Sequence, residues 1–268
     1  MIYDIVYAMD QWLAMVTVVG LTIAFALAGL FVVTRLVPLS VRTENQDGLG
    51  VAGATVGVVY AVLLAFIAVA VWEAFEKADD TAALEAALVG DIFRDAQLLP
   101  QPVRDAVTEG ARSYADHVVT VEWPAMATGA LPDRRGWEIL EAIPAKLVND
   151  SLSPGQMLVA QEAFSQINKV YDARRNRLSQ ASAGVQPLTW AVVLVGSLIS
   201  LGFCWLLSFP SPWLHVLATS LVSGVLGMIL FLIIAFDYPF RGTVQIGPDA
   251  FVMVQGNMQR LSQAAPAS

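Results

Sequence analysis

The chain has 268 residues, 56% hydrophobic and 14% charged, with a formal net charge of −8 at pH 7. A soluble domain carries about a quarter charged residues, so an ordinary soluble protein is excluded, and the acidic balance without a basic patch excludes a nucleic-acid partner. The one cysteine, Cys204, excludes a disulfide framework and reads as a small apolar packing residue.

The charge deficit is concentrated in four runs. Residues 13–34, 51–72 and 188–209 contain no Asp, Glu, Lys or Arg, and neither do residues 213–236, where only His215 is titratable. About 20 apolar residues cross a bilayer core, so each run predicts a transmembrane helix. Asp4 and Asp10 precede the first run without any basic side chain, and the run is longer than a signal-peptide core, which favours a retained span. The Ala26-Leu-Ala28 triplet is the feature a cleavable signal peptide would share. Residues 35–50 join spans one and two. Within them Gly48-Leu-Gly50-Val-Ala-Gly53 has a loosely dinucleotide-like spacing, but it opens a membrane span rather than a strand–helix unit and is set aside.

Span two carries two stripes. Gly50, Ala54, Gly57 and Ala61 recur at helical spacing and predict a helix-packing seam, because small residues let backbones approach closely. The opposite stripe, with Val56, Tyr60, Leu63, Ile67 and Ala70, either faces lipid or lines an apolar constriction that gates by dewetting. Glu73, Glu76, Asp79 and Asp80 follow directly. In a symmetric oligomer each would form an acidic ring favouring cations; otherwise they form a solvated helix face.

Residues 73–186 form a polar insert with 17 acidic and 11 basic residues. Its first helix continues span two to about residue 98. A second is expected over 103–123, closed by Pro124, and a short one near 136–149. Ser153-Pro154 caps the last helix, whose apolar stripe is Met157, Ala160, Phe164, Ile167, Tyr171, Arg174 and Leu178. An arginine on that stripe requires a carboxylate, so a buried ion pair of Arg174 with Glu85 is expected, Asp91 being the other candidate. The helix breaks near Gly184 and Pro187. Pro210-Ser-Pro212 turns span three into span four. Lys77, Arg174, Arg175, Arg177 and Arg241 outnumber Arg35 and Arg42, which puts the insert and both termini in the cytoplasm.

Chemical signatures are missing. His117 and His215 have no metal-ligand spacing, and no phosphate loop, nucleophile elbow or zinc-protease helix occurs. No metal, cofactor or enzymatic activity is expected. The absence of an ionisable group at mid-span disfavours a secondary transporter or proton pump.

Several stretches resemble one family. They are the span-two segment Val59–Glu73, Glu85-Ala, Ile92-Phe-Arg94 with Leu98-Leu-Pro100, and Tyr114 with Val118-Val119. Glu122-Trp-Pro-Ala-Met126, Arg174-Arg-Asn-Arg-Leu178, Trp190 and Asp237-Tyr-Pro-Phe-Arg-Gly242 with Val244 and Pro248 complete the set. Over roughly residues 45–252 the chain resembles the bestrophin-like family of bacterial four-span membrane proteins, a family without an assigned function and distantly related to the bestrophin channels. That resemblance implies a pentamer of four-span subunits with a helical cytosolic region and an apolar neck lined by span two. The neck would be Tyr60, Leu63 and Ile67, and the cytoplasmic mouth Glu73, Glu76 and Asp80. Calcium-responsive bestrophins carry an acidic cluster after the last span, whereas this chain has only Asp237 there, so a calcium clasp is not expected.

The expected architecture is all-α. It is an integral membrane protein with four transmembrane helices and a cytoplasmic helical bundle formed partly by extensions of spans two and three. Its parts are a first hairpin (1–72), a stalk (73–186), a second hairpin (187–236) and a C-terminal clamp segment with tail (237–268). In the clamp, Pro239 breaks the helix, Gly242 reverses the chain, Asp237 and Arg241 pair, and Thr243–Ile246 runs extended, tying span four to the stalk. Two functions fit. One is a homo-oligomeric ion channel of the inner membrane, whose partners are the lipid bilayer and small inorganic ions. The other is a non-conducting scaffold or sensor, with Glu122-Trp-Pro-Ala-Met126 as an exposed docking corner.

Overall fold

The computed structural model describes residues 6–148, 152–242 and 244–264. In chain order the helices are α1 (Gln11–Leu36), α2 (Leu39–Glu44), α3 (Gln46–Ala96), α4 (Val103–His117), a π-helical turn (Val118–Glu122), α5 (Trp123–Ala127), α6 (Arg135–Ala142), α7 (Pro144–Leu147), α8 (Pro154–Ser182), α9 (Pro187–Leu206), α10 (Pro212–Asp237) and α11 (Asp249–Ala264). All regular structure among the described residues is helical. Among the described residues four stretches are long and apolar enough to cross a membrane. The chain divides into two compact units: residues 1–74, 184–237 and 242–244 form the first, and residues 75–183, 238–241 and 245–268 the second.

The first unit contains α1, α2, the opening of α3, α9 and α10. Asp10 caps α1 by accepting from the Trp12 amide at 2.9 Å. Hydroxyls within the spans bond to their own helix: Thr22 donates to the Val18 carbonyl at 2.8 Å and Ser223 to the Thr219 carbonyl at 2.7 Å. No water competes in lipid, so an unsatisfied hydroxyl there would be costly. Aromatic side chains join the spans. The Tyr60 ring lies on Gly196, where any Cβ would overlap it. Its phenol donates to the Val193 carbonyl at 2.5 Å and shares a hydrogen bond with Ser197 Oγ at 2.7 Å. Trp205 donates its indole N–H to the Ala26 carbonyl at 2.8 Å.

Asp237 ends α10. Its carboxylate accepts from the Val185 amide at 2.5 Å and from the Trp190 indole at 3.3 Å. The chain between α8 and α9 is non-helical, which leaves the Val185 N–H without a helical acceptor, and the carboxylate supplies one. Asp237 therefore fastens the end of span four to the start of span three. Gly242 has the positive φ, 85°, that a chain reversal there requires. The expected extended run begins at Thr243, which lies outside the described residues.

The second unit is built on the rest of α3, α4–α8 and α11. Ser153 and Gln156 form a reciprocal capping box at the start of α8, with Pro154 in its first turn. The helix expected over 103–123 differs. α4 stops at His117, a π-helical turn follows, and Pro124 stands in the first turn of α5 instead of closing the element. Proline is tolerated there because a first-turn N–H has no helical acceptor anyway. The short helix expected at 136–149 is two helices, α6 and α7; residue 149 lies outside the described residues. The buried face of α8 is also rotated from the expected stripe. It runs through Ala163, Ile167, Val170, Arg174, Arg177 and Ala181, while Met157 and Phe164 are exposed. Trp123 is a hub of this core. It packs edge-on against Phe240 and Phe251 with ring centroids 5.7 Å apart in both cases, and donates to the Ile246 carbonyl at 2.9 Å.

Candidate functional site

Two arrangements stand out, one in each unit. The first is the outward side of α3. Tyr60, Leu64 and Val71 are buried against the other spans. Val58, Val62, Phe66 and Val69 each lie two positions from one of these, about 200° around the helix, and are 66%, 51%, 71% and 54% exposed. Four-residue spacing carries this face on to Glu73, which is exposed; Glu76 and Asp80 are exposed too and belong to the second unit. Of the three expected neck residues, Tyr60 does not lie on this face. Tyr60 is 6% exposed and turned into its own bundle, because its hydroxyl must find partners and finds them on α9. Leu63 and Ile67 stand on the flank of the outward face. The small-residue stripe lies beside this face. A Cβ on Gly50 or Gly57 would meet nothing within 4 Å, and Ala54 and Ala61 are exposed. Among the described residues the closest packing of α3 against the other spans runs through Tyr60 and Leu64.

The second arrangement is a fully buried charge cluster. Glu85, Glu122, Arg174 and Arg177 are each 0% exposed. Arg177 forks onto Glu85, with Nε at 2.7 Å and Nη2 at 3.0 Å, and its Nη2 also reaches Glu122 at 2.7 Å. Arg174 Nη1 lies 2.6 Å and 2.7 Å from the two oxygens of Glu122. Tyr114 completes the circuit, donating to Glu85 and accepting from Arg174 Nη1 at 3.3 Å. The guanidinium of Arg174 lies 4.7 Å above the Trp137 ring, and that of Arg177 lies 5.1 Å above Trp123. Two acids and two bases sum to zero charge, which is what permits their burial. Burial opposes the charge on Arg177, but Glu85, Tyr114 and Glu122 outweigh it and hold the guanidinium charged beyond its ordinary range. Burial, reinforced by the Glu85 charge, holds the Tyr114 phenol well above its ordinary value.

The π-helical turn is what aims Glu122. Four α-helical residues overshoot a full turn by about 40°. The wider π turn takes that rotation back, so Val118 and Glu122 both face inward. On the far side Gly136 closes the cluster, where a Cβ would overlap the Glu122 carboxylate and the Arg174 guanidinium. The expected partner of Arg174 is corrected accordingly. Arg174 is buried and paired, but with Glu122, while Glu85 is taken by Arg177.

A model of the bestrophin-like domain matches residues 20–251. The chain belongs to the bestrophin-like family. Among solved structures it is similar to a bacterial bestrophin homologue from Klebsiella pneumoniae, at TM-score 0.62 and 13% identity, over 94% of this chain and 99% of that one. A point mutant of the Klebsiella pneumoniae homologue matches at TM-score 0.64 and 12% identity, over 93% and 99% of the two chains. At such identity the likeness establishes the fold alone. No curated protein matches.

In this bestrophin-like chain the docking corner expected at Glu122-Trp-Pro-Ala-Met126 is not exposed: Glu122, Trp123 and Met126 are buried. Sequence reasoning missed Glu122, Tyr114 and Arg177 as members of one cluster. The available signal was the three-residue step from Arg174 to Arg177, which puts both on one side of α8. Asp237 has one oxygen on Val185 and the other on Trp190. The guanidinium of Arg241 lies 5.3 Å from the centre of the Tyr238 ring.

Proposed function

We propose that this bestrophin-like protein is an oligomeric ion channel of the cell inner membrane, with both termini and residues 73–186 on the cytoplasmic side. The observation that carries the reading is the outward side of α3: an uncharged apolar face that its own chain leaves uncovered and that runs on to acidic residues. Val58, Val62 and Phe66 form the neck, replacing Tyr60 in that role. Leu63 and Ile67 flank it and meet a neighbouring copy. The stripe of Gly50, Ala54, Gly57 and Ala61 packs against the neighbour on the other side, in a ring of five by resemblance. Glu73, Glu76 and Asp80 bias ion choice at the cytoplasmic mouth. The cluster of Glu85, Glu122, Arg174 and Arg177 is structural, and Asp237 with Pro239, Arg241 and Gly242 clamps the exit of span four.

The scaffold alternative loses its docking corner, because Trp123 is packed into the core. Purified protein in liposomes tests the channel reading: it passes small ions, and Phe66→Ala passes more. Silence of both in every salt tried overturns it.

A further inference from the structure

Arg42 is a buried cation without an anion among the described residues. It lies on α2, between spans one and two, and is 6% exposed. Its Nη1 donates to the Leu207 carbonyl at a long 3.5 Å, its Nε has no partner, and no carboxylate among the described residues pairs with it. The buried arginines of the second unit, by contrast, share two carboxylates. A guanidinium taken out of water without a counter-charge is costly.

Its surroundings indicate what completes it. Leu36, Leu39 and Val41, close to it along the chain, are exposed, as is Trp213 at the head of α10, on the segment that follows Leu207. Apolar and indole groups facing outward at the end of two spans set this level at the bilayer interface, where headgroups lie. The Thr43 and Ser208 hydroxyls, on the residues following Arg42 and Leu207, are 3.2 Å apart. Thr43 also donates to the Leu39 carbonyl at 2.9 Å, which leaves the Ser208 proton for the Thr43 oxygen or for a ligand.

We propose that Arg42 anchors a binding site for a phosphate group, with the Ser208 hydroxyl as a second donor. A guanidinium fork matches phosphate oxygens through two parallel hydrogen bonds and supplies the missing neutralisation. The phosphate belongs to a phospholipid headgroup or is a free ion; the chemistry at Arg42 is the same, and the inference does not depend on conduction.

Thermal unfolding of the purified full chain in uncharged detergent tests it with three additives: phosphatidylglycerol, a galactolipid with the same acyl chains and no phosphate, and inorganic phosphate. The wild type gains about 2–4 °C in Tm with phosphatidylglycerol and nothing with the galactolipid. An equal gain with inorganic phosphate identifies the free ion as the ligand; no gain with it identifies the headgroup. Arg42→Gln loses the response. Arg42→Lys keeps the charge without the fork, and needs about tenfold more ligand for half the shift. The proposal is overturned if neither phosphate source raises Tm, if the galactolipid acts equally, or if Arg42→Lys responds like the wild type.

Discussion

Glu122 receives both Arg174 and Arg177, so the cluster cannot be taken apart one pair at a time. Removing one acid leaves a positive charge sealed in the core. Glu85→Ala should destabilise the protein by about 3–5 kcal/mol, read by denaturant unfolding of the purified chain. Tyr114 adds a pH dependence whose sign follows from its raised pKa. The neutral phenol contributes fully below the unfolded-state value of 10.0. Above that pH the unfolded chain releases the proton and the folded chain keeps it, so the contribution is lost as pH rises towards the folded value. The wild type should therefore lose stability more steeply than Tyr114→Phe in unfolding titrations above about pH 10.

The spans were legible in the sequence because a bilayer demands runs without charge. Their rotation was not. Span two is apolar all round, so periodicity offers no polar side to orient it, and Tyr60 could be assigned to either face. Only its hydroxyl and the glycine opposite, Gly196, decide the matter. On α8 the buried stripe differs from the expected one by about one residue, because Arg177 counts as polar in any pattern although it is as buried as Ile167. The π-helical turn has no compositional signature at all. It arises from the need to bring Glu122 round to Arg174, a contact 52 residues away along the chain. The small-residue stripe now makes a prediction about assembly. Since a Cβ on Gly57 would meet no side chain of another element within 4 Å, Gly57→Leu should leave the subunit folded and dissociate the oligomer. Light scattering on the eluted protein, alongside circular dichroism, separates the two effects.

For the whole molecule, the four-span helical architecture follows from composition, and the family from motifs spread along the chain. Activity follows from neither, because conduction depends on how copies surround an axis. The region after the last span bears on regulation. Calcium takes six to eight oxygens, and Asp237 already spends both of its oxygens on Val185 and Trp190. Millimolar calcium should therefore leave ion flux unchanged in liposomes.

The central claim is that ions pass between the outward faces of α3. The most direct test is the ion flux of Phe66→Ala relative to wild type in liposomes of matched protein content, with Tyr60→Phe alongside. The account predicts measurable flux in the wild type, a clear increase when Phe66 is trimmed, and no change in the Tyr60 variant. Flux that rises with Tyr60→Phe and ignores Phe66→Ala, or no flux from any of the three, would contradict it.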